Sequence, residues 1–526
     1  MKIAFIHPDL GIGGAERLVV DAAVGLQSLG HSITIYTSRC DRSHCFEEVR
    51  DGTLNVVVKG DTIFPRTIFG RFAILCAILR QLHLTLYILR YENTTYDGIF
   101  IDQLSFCIPL LRIGLDRLKP RAPARDCGGD SDSSYSRRST PHRRKRKARI
   151  LFYCHFPDKL LAIRKSLIKR FYRIPFDAIE AYTTSQADIL LVNSRFTQRM
   201  FRQEFPGIDR TPGVVYPCVA ESSDNIDETV VRIVKDSGKR ALLSVNRFEK
   251  KKGVDLAVRA YAALKETAGF SQTALLIAGG YDNAVKENIE YLSELQGLCD
   301  SLGMEHKTIW DIEKNASLFS SALDSSSVLF CPSVSSPVRN GLLSACRALT
   351  YTPVNEHFGI VPLEAMLMNV PVIATTSGGP LETVDDGTTG WLRPADVSAW
   401  SPVMHHVLFE AIEAELHAMG KLGHEIVAKK FSRAEMATAF QRAFLSASEF
   451  SSSSSNDDTT FAGSTAADHY RRPAIMRNPG LRDGAWIAFL GCATYYCMYG
   501  PVLTMPSVSE VLVGTCFVLV VYYAIF

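Results

Sequence analysis

"ALTYTPVNEHFGIVPLEAM", residues 348–366, sets two glutamates, Glu356 and Glu364, eight positions apart with a glycine and a proline between them. The opening "ALTYTP" reads as a buried strand. Pro362 has no backbone N–H and a fixed φ, which suits the first turn of a helix. A helix starting there puts Glu364 near its third position, where the positive helix end favours a carboxylate. Glu356 then lies in the preceding loop, and Phe358–Gly359–Ile360 crosses the gap as exposed backbone. The unit is strand, polar loop and helix N-terminus, the place where open α/β sheets hold anionic ligands. On position alone, a helix-capping Glu364 and a solvated Glu356 fit equally well.

Working outward, apolar strands alternate with helical stretches almost throughout: "KIAFIH", "SITIYT", "RILFYCH", "DILLVNS", "ALLSVNR", "TALLIAGG" and "VPVIATT". That alternation indicates βαβ units and parallel sheets. The strands are too many for one small doubly wound sheet, so the reading is two Rossmann-like α/β domains. "GVVYPCV" (213–219), followed by the polar "AESSDNIDETV", marks the boundary. The expected division is 1–217 and 218–424, with terminal helices over 425–449 packing back on the domains.

The 526 residues suffice for two or more cores, and 47% hydrophobic with 21% charged residues describes a globular chain with some excess apolar material. A net charge of +3 is too small to suggest nucleic acid as a partner. The 13 cysteines contain no C-x-x-C pair, and Cys40/Cys45 and Cys492/Cys497 are too loosely spaced for zinc, so they read as reduced thiols in a cytosolic setting. The start "MKIAFIHPDLGIGGAE" lacks the regions of a signal peptide; Ile3 to His7 reads as a first strand, and the catalytic mass is expected to stay where it is translated.

Residues 120–149 pass from Ser/Asp/Gly-rich to "RRKRKAR" and read as a disordered insertion. Its Asp130 and Asp132 imitate a metal-binding D-x-D by chance. Residues 450–483 read as a Ser-rich linker. Beyond it, Gly484–Leu503 and Val511–Phe526 are apolar and suggest a transmembrane hairpin, or one span plus an interfacial piece. Arg471, Arg472, Arg477 and Arg482 place the preceding side in the cytosol. Residues 71–91 also look like a membrane segment, but Arg80 and His83 interrupt them. A buried or membrane-facing helix of the first domain is the preferred reading.

Four further stretches carry candidate chemistry. "GIGGAE" (11–16) follows the first strand; it is not the dinucleotide fingerprint, yet Gly13 and Gly14 let backbone N–H groups approach a phosphate or sugar, or simply make a tight turn. In "SVNRFEKKKGVDLAVRAY" (244–261), Arg247 and Lys252 bracket a short loop between a strand and a helix. Two fixed cations there suit a diphosphate leaving group, as they also suit a solvated basic loop. "TTSGGPLETVDDGTTGWL" (375–392) repeats the strand–glycine turn–helix pattern, with Glu382 at the helix start, and suggests adjacent strand ends building one pocket floor. In "FYCHFPDK", His155 follows a first-domain strand; a single histidine is more often structural.

Together, GIGGAE, NRFEKKKG, the E-x7-E pair and SGGPLE resemble the retaining nucleotide-sugar glycosyltransferases of the GT-B fold, two Rossmann-like domains facing a cleft. "NEHFGIVPLEAM", "NRFEKKK", "FYCHFPD" and "YTTSQADILLVNSRFT" extend that resemblance, over most of residues 1–449, to the fungal α-1,3/1,6-mannosyltransferases of lipid-linked oligosaccharide assembly. The resemblance implies that Glu364 binds the ribose hydroxyls of GDP-mannose and that Glu356 sits near the mannose. It implies that backbone N–H groups of Phe358, Gly359, Ile360 and Val361 hold sugar and phosphate oxygens, and that Arg247 and Lys252 carry the diphosphate. His155 would face the reacting sugar, with Gly13 and Gly14 beneath it. Glu356, Arg247, Lys252 and His155 are then the expected catalytic set, with no metal and no cofactor. The implied acceptor is a dolichyl-diphosphate-linked glycan bearing mannose. The implied setting is the cytosolic face of the endoplasmic reticulum membrane, with other mannosyltransferases as possible partners. Another GDP- or UDP-sugar transferase acting on a membrane lipid, or an inactive membrane scaffold, are the competing readings; a scaffold has no reason to hold Arg247, Lys252, Glu356 and Glu364 together.

Overall fold

The computed structural model describes residues 1–60, 63–67, 73–117, 148–161, 167–219 and 226–449. The expected insertion up to residue 147, with Asp130 and Asp132, lies outside these residues, as do the Ser-rich linker and the apolar segment 484–526.

The chain divides into two compact units. One comprises Met1–Val192, Gln198–Gly213 and the described residues from Ala437; the other comprises Asn193–Thr197 and Val214–Met436. The strands of the first sheet are β1 (Lys2–Asp9), β2 (Ser32–Arg39), β3 (Asn55–Val58), β4 (Gly98–Asp102), β5 (Arg149–Cys154), β6 (Ile189–Val192) and β7 (Gly213–Val214). They lie in the order β3-β2-β1-β4-β5-β6-β7, and pairing is parallel from β3 through β6. Those of the second are β8 (Arg240–Val245), β9 (Thr273–Gly279), β10 (His306–Thr308), β11 (Val328–Pro332), β12 (Ala348–Tyr351), β13 (Val372–Thr375) and β14 (Gly390–Arg393). Their order is β10-β11-β9-β8-β12-β13-β14, again parallel.

The strand order changes direction between β1 and β4 in the first unit and between β8 and β12 in the second. At such a reversal the connections leave the two neighbouring strands on opposite faces, opening a crevice beyond their carboxyl ends. The second sheet is apolar on both faces because helices cover both. Along β8, Ala241, Leu243 and Val245 enter one core cluster with Leu276, Leu349 and Leu363, while Leu242 enters the other with Leu275, Phe330 and Trp400. This is the two-residue period of a strand buried on both sides.

The helix Ala73–Tyr91 is the one described helix long and apolar enough to cross a bilayer. In the first unit it buries Leu79, Leu82, Leu84 and Ile88. Arg80, which interrupts the apolar run, is also buried and holds both oxygens of Asp9 at 2.7 and 3.1 Å. A helix Arg433–Glu449 ends the described chain, and Phe440 packs on Phe100 and Tyr153 of the first sheet at 5.3 and 5.6 Å between ring centroids.

Two local expectations are corrected. The helix after β12 begins at Ile360, not Pro362, with Gly359 at φ +82° as its N-terminal cap. Pro362 is therefore its third residue, where the missing N–H still breaks no intrahelical bond. Glu364 is its fifth, beyond the turn where the helix end acts strongly on a carboxylate. Nor does Phe358–Gly359 cross as exposed backbone: both residues are buried, and the Phe358 ring packs against Tyr216 and Phe431 at 5.7 and 5.8 Å between centroids.

Candidate active site

In the second unit, the loops after β8 and β12 leave from the two strands that flank the reversal. After β8 the chain passes Asn246 and Arg247, makes one 3-10 turn over Lys250–Lys252, and enters a helix at Val254. Gly253 joins the turn to the helix at φ +57°, a conformation that favours glycine. The Lys252 carbonyl accepts from Thr352 Oγ1 at 2.7 Å, which ties this turn to the end of β12.

Lys252 Nζ donates to Glu356 Oε2 at 2.5 Å, so two of the sequence candidates, 104 residues apart, meet directly. Both side chains are about one-fifth exposed. Burial acts to raise the Glu356 carboxyl, but the Lys252 ammonium outweighs it and holds the group below its ordinary range. The carboxylate also meets the phenol of Tyr351, which is buried at the end of β12 and pushed well above its ordinary value by burial and by both glutamates.

Glu364 behaves differently. Its carboxyl is raised, because burial outweighs its one cationic partner, Arg339, at 3.2 Å. Arg339 stands on the helix Ser336–Ala345 that follows β11. Arg247 is largely exposed, and its nearest acid is Glu249 at 3.7 Å. The structure thus joins Lys252 to Glu356 and Glu364 to Arg339, and leaves Arg247 at the rim.

The glycine pair after β13 supports the same loop. The Gly379 N–H donates to the Glu356 carbonyl at 2.8 Å, and Ser377 Oγ accepts from the Asn355 N–H at 2.9 Å. A Cβ on Gly379 would stand 1.8 Å from the Phe358 carbonyl oxygen, and one on Gly378 (φ +69°) 2.4 Å from that of Glu356. Only glycine lets the two strand ends approach this closely. Glu382 accepts from the Arg195 and Phe196 N–H groups at 2.8 Å each and from Tyr216 Oη at 3.1 Å, so it holds backbone in place.

In the first unit, Gly13 caps the helix Gly14–Ser28 in extended backbone, with the Glu16 carboxylate folded over it. Open space lies above Gly14. His155 follows β5 directly, and its Nε2 lies 3.1 Å from Asp102 Oδ2 at the end of β4. Asp102 Oδ1 in turn lies 2.8 Å from Nδ1 of His7 on β1. Among the described residues no three His, Cys, Asp or Glu side chains are grouped as metal ligands.

Sequence reasoning missed Tyr351, Arg339, His7 and Asp102. Asp102 and Tyr351 end strands and His7 stands two residues before the end of β1, positions near the carboxyl end of a sheet; Arg339 had no local signal.

Residues 225–408 match the family model of glycosyl transferases group 1. The chain is 46% identical to the alpha-1,3/1,6-mannosyltransferase of Schizosaccharomyces pombe over 85% of its own length and 81% of the relative. To the alpha-1,3/1,6-mannosyltransferase of Rhizomucor pusillus it is 45% identical, over 82% and 89%. Its fold resembles that of sucrose-phosphate synthase from Thermosynechococcus elongatus, with a TM-score of 0.60 at 18% identity over 86% of this chain and 100% of that one. Two parallel-sheet α/β domains of this kind are the GT-B fold of glycosyltransferases. Within that class, the chain belongs to the alpha-1,3/1,6-mannosyltransferase family.

Proposed function

We propose that this protein transfers mannose from GDP-mannose to Man-GlcNAc2 carried on dolichyl diphosphate, adding an α-1,3 and an α-1,6 mannose. The reaction would run at the cytosolic face of the endoplasmic reticulum membrane, with residues 484–526 as the anchor. The observation that carries this reading is the extent of identity to alpha-1,3/1,6-mannosyltransferases, which spans both units.

The geometry of each unit supports the following parts for the chain's own residues. Lys252, fixed between Thr352 and Glu356, offers a held ammonium to the diphosphate, and the exposed Arg247 adds a second cation. Glu356 faces the mannose, and Glu364, steadied by Arg339, accepts from the ribose hydroxyls. The N–H groups at Phe358, Gly359, Ile360 and Val361 open a helix with no side-chain cap, a natural seat for sugar and phosphate oxygens. In the first unit, His155, Gly13 and Gly14 would act on the reacting sugar and its acceptor. The bond from mannose C1 to the β-phosphate oxygen breaks while the acceptor oxygen bonds C1 on the same face, and the acceptor's proton passes to the departing phosphate.

The test uses full-length protein, GDP-mannose and a synthetic Man-GlcNAc2-diphosphate lipid, read by mass spectrometry with linkage-specific mannosidases. Two added hexoses, absent in Glu356→Ala and Arg247→Ala, are expected. One added hexose would move the acceptor assignment to a neighbouring transferase. Donor binding without any transfer would favour the scaffold.

A further inference from the structure

Three titratable side chains, His7, Asp102 and His155, meet at the carboxyl ends of the three central strands β1, β4 and β5 of the first sheet. His7 and Asp102 are fully buried, and the His155 side chain is one-fifth exposed. We propose that Asp102, locked by His7, is a positioning residue that holds His155 in a single tautomer, with the proton on Nε2 and the lone pair on Nδ1.

Counting donors carries the inference. His7 Nε2 lies 3.1 Å from the Asp9 carbonyl, which can only accept, so that nitrogen carries a hydrogen. His7 Nδ1 lies 2.8 and 3.0 Å from the two Asp102 oxygens, which accept when ionised. Both ring nitrogens therefore donate, and His7 and Asp102 form an imidazolium–carboxylate pair. Their titration agrees: burial acts to lower His7, but Asp102 and Glu16 overcome it and the net direction is up, while Asp102 stays below its ordinary range against its own burial. The pair is neutral as a whole, which is how a buried charge becomes affordable. Asp102 Oδ2 then accepts from His155 Nε2 at 3.1 Å. A carboxylate already fixed by a second imidazole cannot turn, so the His155 ring is held in plane and tautomer. The His155 ring also makes an edge contact with the buried Tyr153 ring, 5.1 Å between centroids.

The charged groups around this network are Glu16, 4.0 Å from His7 Nε2, and Asp9, whose carboxylate is taken by Arg80. Glu16 stands in the first turn of the helix that Gly13 caps, and its carboxylate folds over Gly13, so the network also runs from the glycine turn to His155.

The inference rests on the proposed role of His155 at the reacting sugar. The test uses full-length wild type, Asp102→Asn, His7→Gln and His155→Ala, with melting curves to confirm folding. Transfer kinetics are read over pH, and the His155 tautomer by NMR of 15N-histidine-labelled protein. In wild type, His155 is expected as the Nε2–H tautomer. In Asp102→Asn, the amide offers a donor as well as an acceptor, the tautomer becomes mixed or reversed, and kcat falls roughly 10- to 100-fold with KM for the donor nearly unchanged, as misplacing a reacting group does. His7→Gln is expected to give a milder loss of the same kind with an altered pH profile. Wild-type kcat and an unchanged tautomer in Asp102→Asn, with His155→Ala inactive, would overturn this inference alone. A fully active His155→Ala would overturn the role of His155 itself.

Discussion

Replacing Lys252 by Met removes the cation from a largely buried carboxylate while keeping most of the length of the side chain. Glu356 then has two options: stay ionised and unpaired, or take up a proton on folding. The second sets the ceiling. With an ordinary carboxyl value near 4.3, protonation at pH 7 costs about 3.7 kcal/mol, and at pH 5 about 1 kcal/mol. Breaking a buried pair costs roughly 3–5 kcal/mol in general, and residual exposure of both groups trims this, so about 2–4 kcal/mol is expected at pH 7. For a unit of this size each kcal/mol moves the midpoint by about 2–4 °C, giving a fall of roughly 4–16 °C. The sign with pH follows from the two proteins' opposite shifts. In wild type the Glu356 carboxyl is depressed, so its stabilisation is present above the ordinary carboxylate range and is lost as pH falls through the folded value. In Lys252→Met burial, the largest influence on Glu356, faces the weaker charges of His357 and Lys251, so the folded carboxyl rises and stability is lost as pH rises. The gap between the two proteins should therefore close from pH 7 to pH 5. Melting curves of full-length protein at several pH values measure it. A gap that stays constant with pH, or a loss below about 0.5 kcal/mol at pH 7, would refute the pairing.

Two more substitutions probe the same loop. Glu364→Gln removes a carboxyl whose folded value is raised, and a raised carboxyl costs stability as pH climbs through it; the variant should melt at or above wild type at pH 7, while KM for GDP-mannose rises at least tenfold in steady-state assays. Gly379→Ala sets a methyl 1.8 Å from the Phe358 carbonyl oxygen, so the Glu356 loop must shift; a loss of about 1–3 kcal/mol in melting and at least a hundredfold in kcat/KM is expected, whereas near-normal turnover would mean the loop can yield.

The strands and the loops that carry the second unit's candidates were legible because their signals are local. "ALLSVNR" and "ALTYTP" are apolar runs of strand length, and glycine with a cation or carboxylate after each marks a strand end. The misread helix start has a local cause too. Proline is tolerated anywhere in a first turn, so Pro362 marks the turn without marking its first residue. Phe358 was read as part of an exposed crossing because its burial depends on Tyr216 and Phe431, which no nearby residue reveals.

By itself the sequence determined the class of fold, through the two-residue and helical periods of alternating segments, and the candidates Lys252, Glu356 and His155, through their places after strand ends, and Glu364, through its place at a helix start. Only the tertiary structure decided their partners. Lys252 finds Glu356 across 104 residues, and His7 finds Asp102 across 95, because β8 lies beside β12 and β1 beside β4. Arg339 reaches Glu364 from a separate helix, and two glycines after β13 fit against the Glu356 loop. Periodicity is written along the chain and can be read there; strand order is set by how whole segments bury their apolar faces, and the charges that must neutralise one another follow from that order.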